Sequence, residues 1–177
     1  LPGTAAKAVG LRADIDALPI VEQTGLAWAS THEGRMHACG HDGHTTILAG
    51  TARVLAELAK TEPLPNPVSF LFQPAEEGGG GGERMVQDGC LDGSVLGPAV
   101  DCMYGLHGWP VLQEHMVSSR PGPMLAAADR FNITITGLGG HAAMPHGTRD
   151  PIIAATALIQ AIQSIVSRNV DPVQGAV

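Results

Sequence analysis

The densest chemistry in the chain lies in "MHACGHDGHT", residues 36–45, where His37, Cys39, His41 and His44 fall within eight positions. Thiolate and imidazole are ligands for zinc-like ions. In extended backbone, residues two apart point the same way, so Cys39 and His41 can converge on one ion, and His37 can join them. No second Cys/His pair follows at zinc-finger spacing, because the next cysteine, Cys90, stands alone. A metal bound here must draw its other ligands from elsewhere in the fold. The competing reading is a Gly-rich loop with solvated histidines at a helix start; four soft or borderline ligands in eight residues outweigh it.

Further groups of the same kind follow. In "FQPAEEGGGG" the adjacent carboxylates of Glu76 and Glu77 cannot share one rigid direction, so they suit two tasks, one binding a metal and one moving a proton. Alone, the pair would read as a solvated acidic turn. "LRADIDALP" carries Asp14 and Asp16, and "GLHGWP" carries His107. In "GLGGHAAMPH" His141 is flanked by glycines and alanines, which leaves the ring sterically open toward a ligand.

The elements that must position these groups follow from periodicity and breakers. Residues 7–15 read as a short strand. Residues 43–60 read as a helix with Ile47, Val54, Leu55 and Leu58 on one side, stopped by the prolines of "TEPLPNP". "VSFLF", residues 68–72, is a continuous apolar run, as in a strand buried on both faces. A short helix is expected over residues 83–88, ended by Gly89, and another strand over 99–107. Strand, helix, strand, helix, strand argues for an α/β layer with a mostly parallel sheet. Ligands of such sheets gather beyond the carboxyl ends of the strands, where Asp14, Asp16, Glu76, Glu77 and His107 all fall.

The pattern changes after Pro110. "DRFNITITG" alternates Phe131, Ile133 and Ile135 with polar residues, predicting a strand with one buried face. "DPIIAATALIQAIQSIVSRN" predicts an amphipathic helix with Asp150 as N-cap and Pro151 at its first position. These point to a second, α+β unit beginning near residue 117.

Composition sets the outer bounds. The 177 residues suffice for a substantial core, with 44% hydrophobic and 15% charged residues. A formal net charge of -7 without a run of Lys or Arg argues against nucleic acid as a partner. No run of roughly 18–20 consecutive apolar residues suggests a membrane span. Three cysteines cannot form a fully paired disulfide framework, and the first residues lack the apolar middle of a signal peptide; a reducing, cytoplasmic setting is expected.

Taken in order, "LRADIDALP", "MHACGHDGHT", "FQPAEEGGGG", "GLHGWP", "DRFNITITGLGGHAAMPH" and "DPI" resemble the motifs of the metal-dependent amidohydrolases that include hippurate hydrolase, N-acyl-L-amino acid amidohydrolase and the indole-3-acetyl-amino acid hydrolases. The resemblance implies an α/β metallopeptidase-like catalytic domain, here residues 1–116, and the start of an inserted α+β lid or dimerisation domain, residues 117–177. It also implies Cys39, His41, Glu77 and His107 as metal ligands and Glu76 as general base. Asp16 would orient a ligand histidine from behind, and His141 would stabilise the oxyanion, in related enzymes that of the neighbouring subunit. Asp14 stands where the wider clan has a histidine, while His37 and His44 fit structural roles or places behind the ligands rather than on the metal.

The activity so implied is hydrolysis of the amide bond of N-acyl or N-aroyl amino acids, with a homodimer formed through the lid. One or two divalent ions would serve it, manganese or zinc, with cobalt or nickel compatible; Cys39 would bridge a binuclear site. A dipeptidase of the same clan and a non-catalytic metal-binding or dimerisation module are the rival readings. Members of the family continue through the rest of the lid and a returning catalytic segment that adds one more ligand histidine. By that comparison this chain is a fragment with an incomplete metal site. They also lead one to expect a glycine near His115.

Overall fold

In the computed structural model, which describes residues 1–125 and 129–170, the chain forms two compact units, Leu1–Val117 and Ser118–Val177. The first contains β1 (Ala8–Asp14), α1 (His41–Leu58), β2 (Val68–Gln73), α2 (Gly81–Gln87) and β3 (Val100–Gly105). The second contains a short 3-10 turn (Pro145–Gly147) and α3 (Pro151–Asn169).

The three strands make one sheet in the order β2-β1-β3, parallel throughout. Its first strand is therefore central, and chain returning through α1 and α2 adds a neighbour on each side. Asp14 is in register with Gln73 and Arg12 with Gly105, so the three strands release their chains along one edge. Asp14, Asp16, Glu76, Glu77 and His107 all lie at or just beyond that edge.

Local residue choices explain the junctions. Gly40 enters α1 at φ +82°, a left-handed conformation that glycine adopts without a Cβ penalty. Asp42 in the first turn complements the helix dipole. Gly89 closes α2 at φ +87°, the N–H groups of Gly89 and Cys90 bonding back to Val86 and Met85. His115 stands at φ +65°, the conformation for which a glycine would be expected.

The interior is small and unusually polar. Ala8, Ala13, Leu48 and Leu71 are its buried apolar residues, and Asp14, His41, His44 and Ser69 are buried with them. This changes two expectations. On α1 the buried face is His41, His44 and Leu48, spaced three and four apart, and not Ile47, Val54 and Leu58, which are more than half exposed. The polar histidines are on the sheet side because hydrogen bonds from the strand ends hold them there. In β2 only Ser69 and Leu71 are buried; Val68, Phe70 and Phe72 remain partly or well exposed. No described element of this unit covers that face fully.

In the second unit α3 starts as the sequence dictates, the Asp150 carboxylate accepting the Ile152 N–H at 2.8 Å. The strand expected over "DRFNITITG" does not form: described residues 129–137 have no strand assignment, and Phe131 is 69% exposed. A strand must satisfy its backbone groups against a neighbour, and no partner strand exists among the described residues of this unit. Among the described residues its one β-bridge joins Leu138 to Arg149 by two 3.0 Å hydrogen bonds that close the loop carrying His141. Contrary to the expectation from the sequence, α3 is long and apolar enough to cross a membrane by length and composition. A stripe of Thr156, Gln160, Gln163, Ser164 and Ser167 runs along the helix, however, so it is amphipathic.

One substitution tests the loop geometry. Gly81 is buried at the start of α2, and a Cβ there would collide with the Pro74 carbonyl. Gly81→Ala should cost about 1–3 kcal/mol in urea unfolding, and a neutral effect would contradict the packing of this turn.

Candidate metal centre

The site forms where the three strands end. β1 delivers Asp14 and, just beyond it, Asp16; β2 runs through Pro74 and Ala75 into Glu76 and Glu77; β3 leads to His107; α1 begins on His41. Ala75 lies at φ +53°, a left-handed conformation that costs a non-glycine residue roughly 1–2 kcal/mol. Its carbonyl accepts the Gly81 N–H at 3.1 Å, which holds the turn that points both glutamates toward α1.

His41 is the centre of the cluster. Its ring is 1% exposed, and its Nδ1–H donates to Asp16, with both the carbonyl oxygen and Oδ1 at 3.1 Å. That bond fixes the tautomer and leaves Nε2 facing inward, buried and without a hydrogen-bond partner among the described residues. Around it stand Asp14 Oδ2 at 3.6 Å, Glu77 Oε1 at 3.8 Å and Glu76 Oε2 at 3.9 Å. Cys39, His41 and Glu77 bring one ligand atom each to within 4.8 Å of one another. His107 reaches the same cluster through Cys39, its Nε2 lying 3.6 Å from Sγ.

The nitrogen–oxygen spacings around His41 Nε2 are too long for hydrogen bonds and suit a shared cation. Donors bound to one zinc at about 2.0–2.3 Å lie roughly 3.3–3.8 Å apart in a tetrahedron. Four carboxylates, a thiol and imidazoles also form a set that a divalent ion would neutralise. The residues present fit such an ion.

The second carboxylate oxygen of Asp16 accepts the Glu77 N–H at 2.9 Å. One side chain thus fixes both the His41 ring and the backbone of the glutamate turn. Burial alone would raise the Asp16 pKa, but the N–H groups of Glu77 and Glu76 and the His41 hydrogen bond outweigh it and hold the carboxyl below its ordinary value. Burial, together with the nearby carboxylates of Glu77, Glu76 and Asp14, pushes the Cys39 thiol up to about 11. Without a cation the sulfur therefore keeps its proton at neutral pH.

His44 and Asp14 also approach the cluster, and Asp14, His41, His44 and His107 have ligand atoms within 4.8 Å of one another. Hydrogen bonding removes His44 from the candidates. Its Nδ1–H donates to Asp14 Oδ1 at 2.6 Å and its Nε2 accepts the Gly108 N–H at 2.7 Å, so neither nitrogen is free. Asp14 is bound in turn by Arg12 Nη1 at 2.7 Å, and Arg12 Nε donates to Gln73 Oε1 at 2.8 Å. This network was not anticipated from the sequence, although the three-residue spacing of His41 and His44 on one helix face was a signal for it. His37 is exposed and outside the cluster. His141 belongs to the second unit, where its Nδ1 accepts the Ala143 N–H at 3.2 Å, leaving the proton of the neutral ring on Nε2.

Asp14 predicts a specific acid sensitivity. Burial pushes its pKa up, but the His44 hydrogen bond and the Arg12 charge prevail and leave it below the ordinary 3.8. A carboxylate depressed on folding stabilises the folded state above 3.8, and that contribution is lost as pH falls below it. The stability difference between wild type and Asp14→Asn should therefore narrow as urea unfolding is repeated from pH 5 down to pH 2; a constant difference would show that Asp14 is not held in its charged form.

The chain is similar to known proteins over most of its length. The chain is 51% identical over 170 residues to N-acetyl-L-cysteine deacetylase of Bacillus subtilis, covering 96% of this chain and 39% of that protein. It is 47% identical over 169 residues to N-acyl-L-amino acid amidohydrolase of Geobacillus stearothermophilus, covering 95% and 44%. It thus spans less than half the length of these curated relatives. Among solved structures, a protein of methicillin-resistant Staphylococcus aureus assigned as an aminohydrolase superposes with a TM-score of 0.71 at 36% identity, covering 97% of this chain and 43% of that one. The Bacillus subtilis YXEP protein, described as a dinuclear metal-binding peptidase of the M20 family, gives 0.53 at 44% identity over 60% and 27%. Residues 10–176 match the family model, and the chain, with candidate metal donors gathered at its strand ends, belongs to peptidase family M20/M25/M40.

Proposed function

We propose that this chain carries the metal-binding part of a hydrolase that cleaves the amide bond of N-acyl amino acids. The observation that carries the reading is the buried, unpartnered Nε2 of His41, surrounded by Cys39, Glu77 and the carboxylate of Glu76. The names of the deacetylase and amidohydrolase relatives support the substrate class.

In this reading Cys39, His41, Glu77 and His107 hold one or two divalent ions, zinc or manganese, with cobalt or nickel also suited to the donors. The chemistry such an ion supplies when bound is Lewis acidity toward a water and the scissile carbonyl. Glu76, 39% exposed at the rim of the cluster, takes the proton from the attacking water and returns it to the departing amine. Asp16 keeps His41 in the tautomer that presents Nε2. His141, with its Nε2–H outward, donates to the oxyanion in the site of a second copy. Pairing of two copies through the second unit would use apolar surface such as Ile152 and Ile159, exposed on α3.

The test is turnover of N-acetyl and N-benzoyl amino acids beside a panel of dipeptides, with zinc or manganese supplied. Glu76→Gln should lower kcat about 10²- to 10⁴-fold while metal affinity is retained, whereas Glu77→Ala should lose the metal. Wild-type turnover by Glu76→Gln would overturn the role of Glu76, and preference for dipeptides would overturn the substrate class.

A further inference from the structure

Gly108 is held on both sides. Its N–H donates to His44 Nε2 at 2.7 Å, and its carbonyl accepts His107 Nδ1–H, also at 2.7 Å. The second bond fixes the His107 tautomer and turns the other ring nitrogen toward Cys39, 3.6 Å away. The first decides where Gly108 stands. His44 is itself 4% exposed and cannot swing away, because Asp14 Oδ1 accepts from its Nδ1 at 2.6 Å and Asp14 is gripped by Arg12. The chain of bonds runs from Gln73 at the end of β2, through Arg12 and Asp14 on β1 and His44 on α1, to Gly108 beyond β3. The other hydrogen-bond contact of the His107 ring among the described residues is the longer one from Nε2 to Cys39 Sγ, on the side of the metal donors, so Gly108 is what holds the ring from behind.

From these contacts we infer that His44 is a positioning residue for His107: by accepting the Gly108 N–H it sets the backbone that orients the His107 ring toward the metal donors. It binds no ion and touches no substrate. The inference rests on the reading of His107 as a metal ligand.

Two conservative substitutions separate positioning from core filling. Glutamine places a terminal oxygen near the position of Nε2 and can still accept from Gly108. Asparagine places its amide near Nδ1, so it keeps a donor for Asp14 and loses Gly108. Zinc affinity of the metal-free chain, measured by competition with a chromophoric chelator, should fall 10- to 100-fold in His44→Asn, as when the outer partner of a ligand is removed. His44→Gln should stay within about threefold of wild type, a small loss beside that of a removed partner. Equal affinity for His44→Asn and wild type, or better retention in His44→Asn than in His44→Gln, would overturn the inference. His107→Ala is the control: if it also binds zinc as wild type does, the ligand reading itself has failed.

If a variant folds poorly, long-range proton–nitrogen NMR of the metal-free wild-type chain at neutral pH decides the matter. His44 should show a protonated Nδ1 and a bare Nε2. A proton on His44 Nε2 would contradict acceptance from Gly108 and overturn the inference.

Discussion

The structure is organised around a group that has no partner. His41 Nε2 is buried, unbonded and faced by three carboxylate oxygens between 3.6 and 3.9 Å away. Burying an imidazole nitrogen against acceptors, with no donor supplied, is unfavourable for a protein interior. Each nearby feature makes sense if a cation completes that set. The Asp16 bond prevents the ring from turning its free nitrogen elsewhere, the Glu77 turn is pinned by the same carboxylate, and the Cys39 thiol is held protonated by burial and by nearby carboxylates whose charge a cation would offset.

The parallel sheet makes the convergence possible. Three strands ending in register present their loops side by side, so donors from residues 39–41, 76–77 and 107 meet although they are far apart in the chain. A network of hydrogen bonds lies beneath them, from Gln73 through Arg12, Asp14 and His44 to Gly108. The apolar contribution to this interior is modest, with Leu48 and Leu71 its largest buried aliphatic side chains. Polar satisfaction and packing are therefore coupled here: loss of one hydrogen-bonded member leaves another buried and unpaired.

Much of this was legible in the residues. Strand, helix, strand order gave the parallel layer, and the Asp150-Pro151 pair gave the start of α3 to the residue. The donors could be listed because each sits just past a strand or at a helix start. The family resemblance singled out His41 over His44, but residue type and spacing alone did not show which histidine keeps a free nitrogen. His41 and His44 are alike in type and setting, and only the partners of their ring atoms, Asp16 for one and Asp14 with Gly108 for the other, distinguish them. Those partners come from other strands, so local pattern carries no trace of the choice. The failure of "DRFNITITG" to form a strand has the same origin: its alternation is intact, but a strand exists only through a neighbour.

X-ray absorption fine structure on the zinc-loaded chain tests the central claim most directly, because it reads the atoms around the ion. A sulfur at about 2.3 Å together with nitrogen and oxygen at about 2.0–2.2 Å is predicted, with the sulfur shell lost in Cys39→Ser. A shell of nitrogen and oxygen alone in the wild-type chain would contradict a metal centre built on Cys39 and His41.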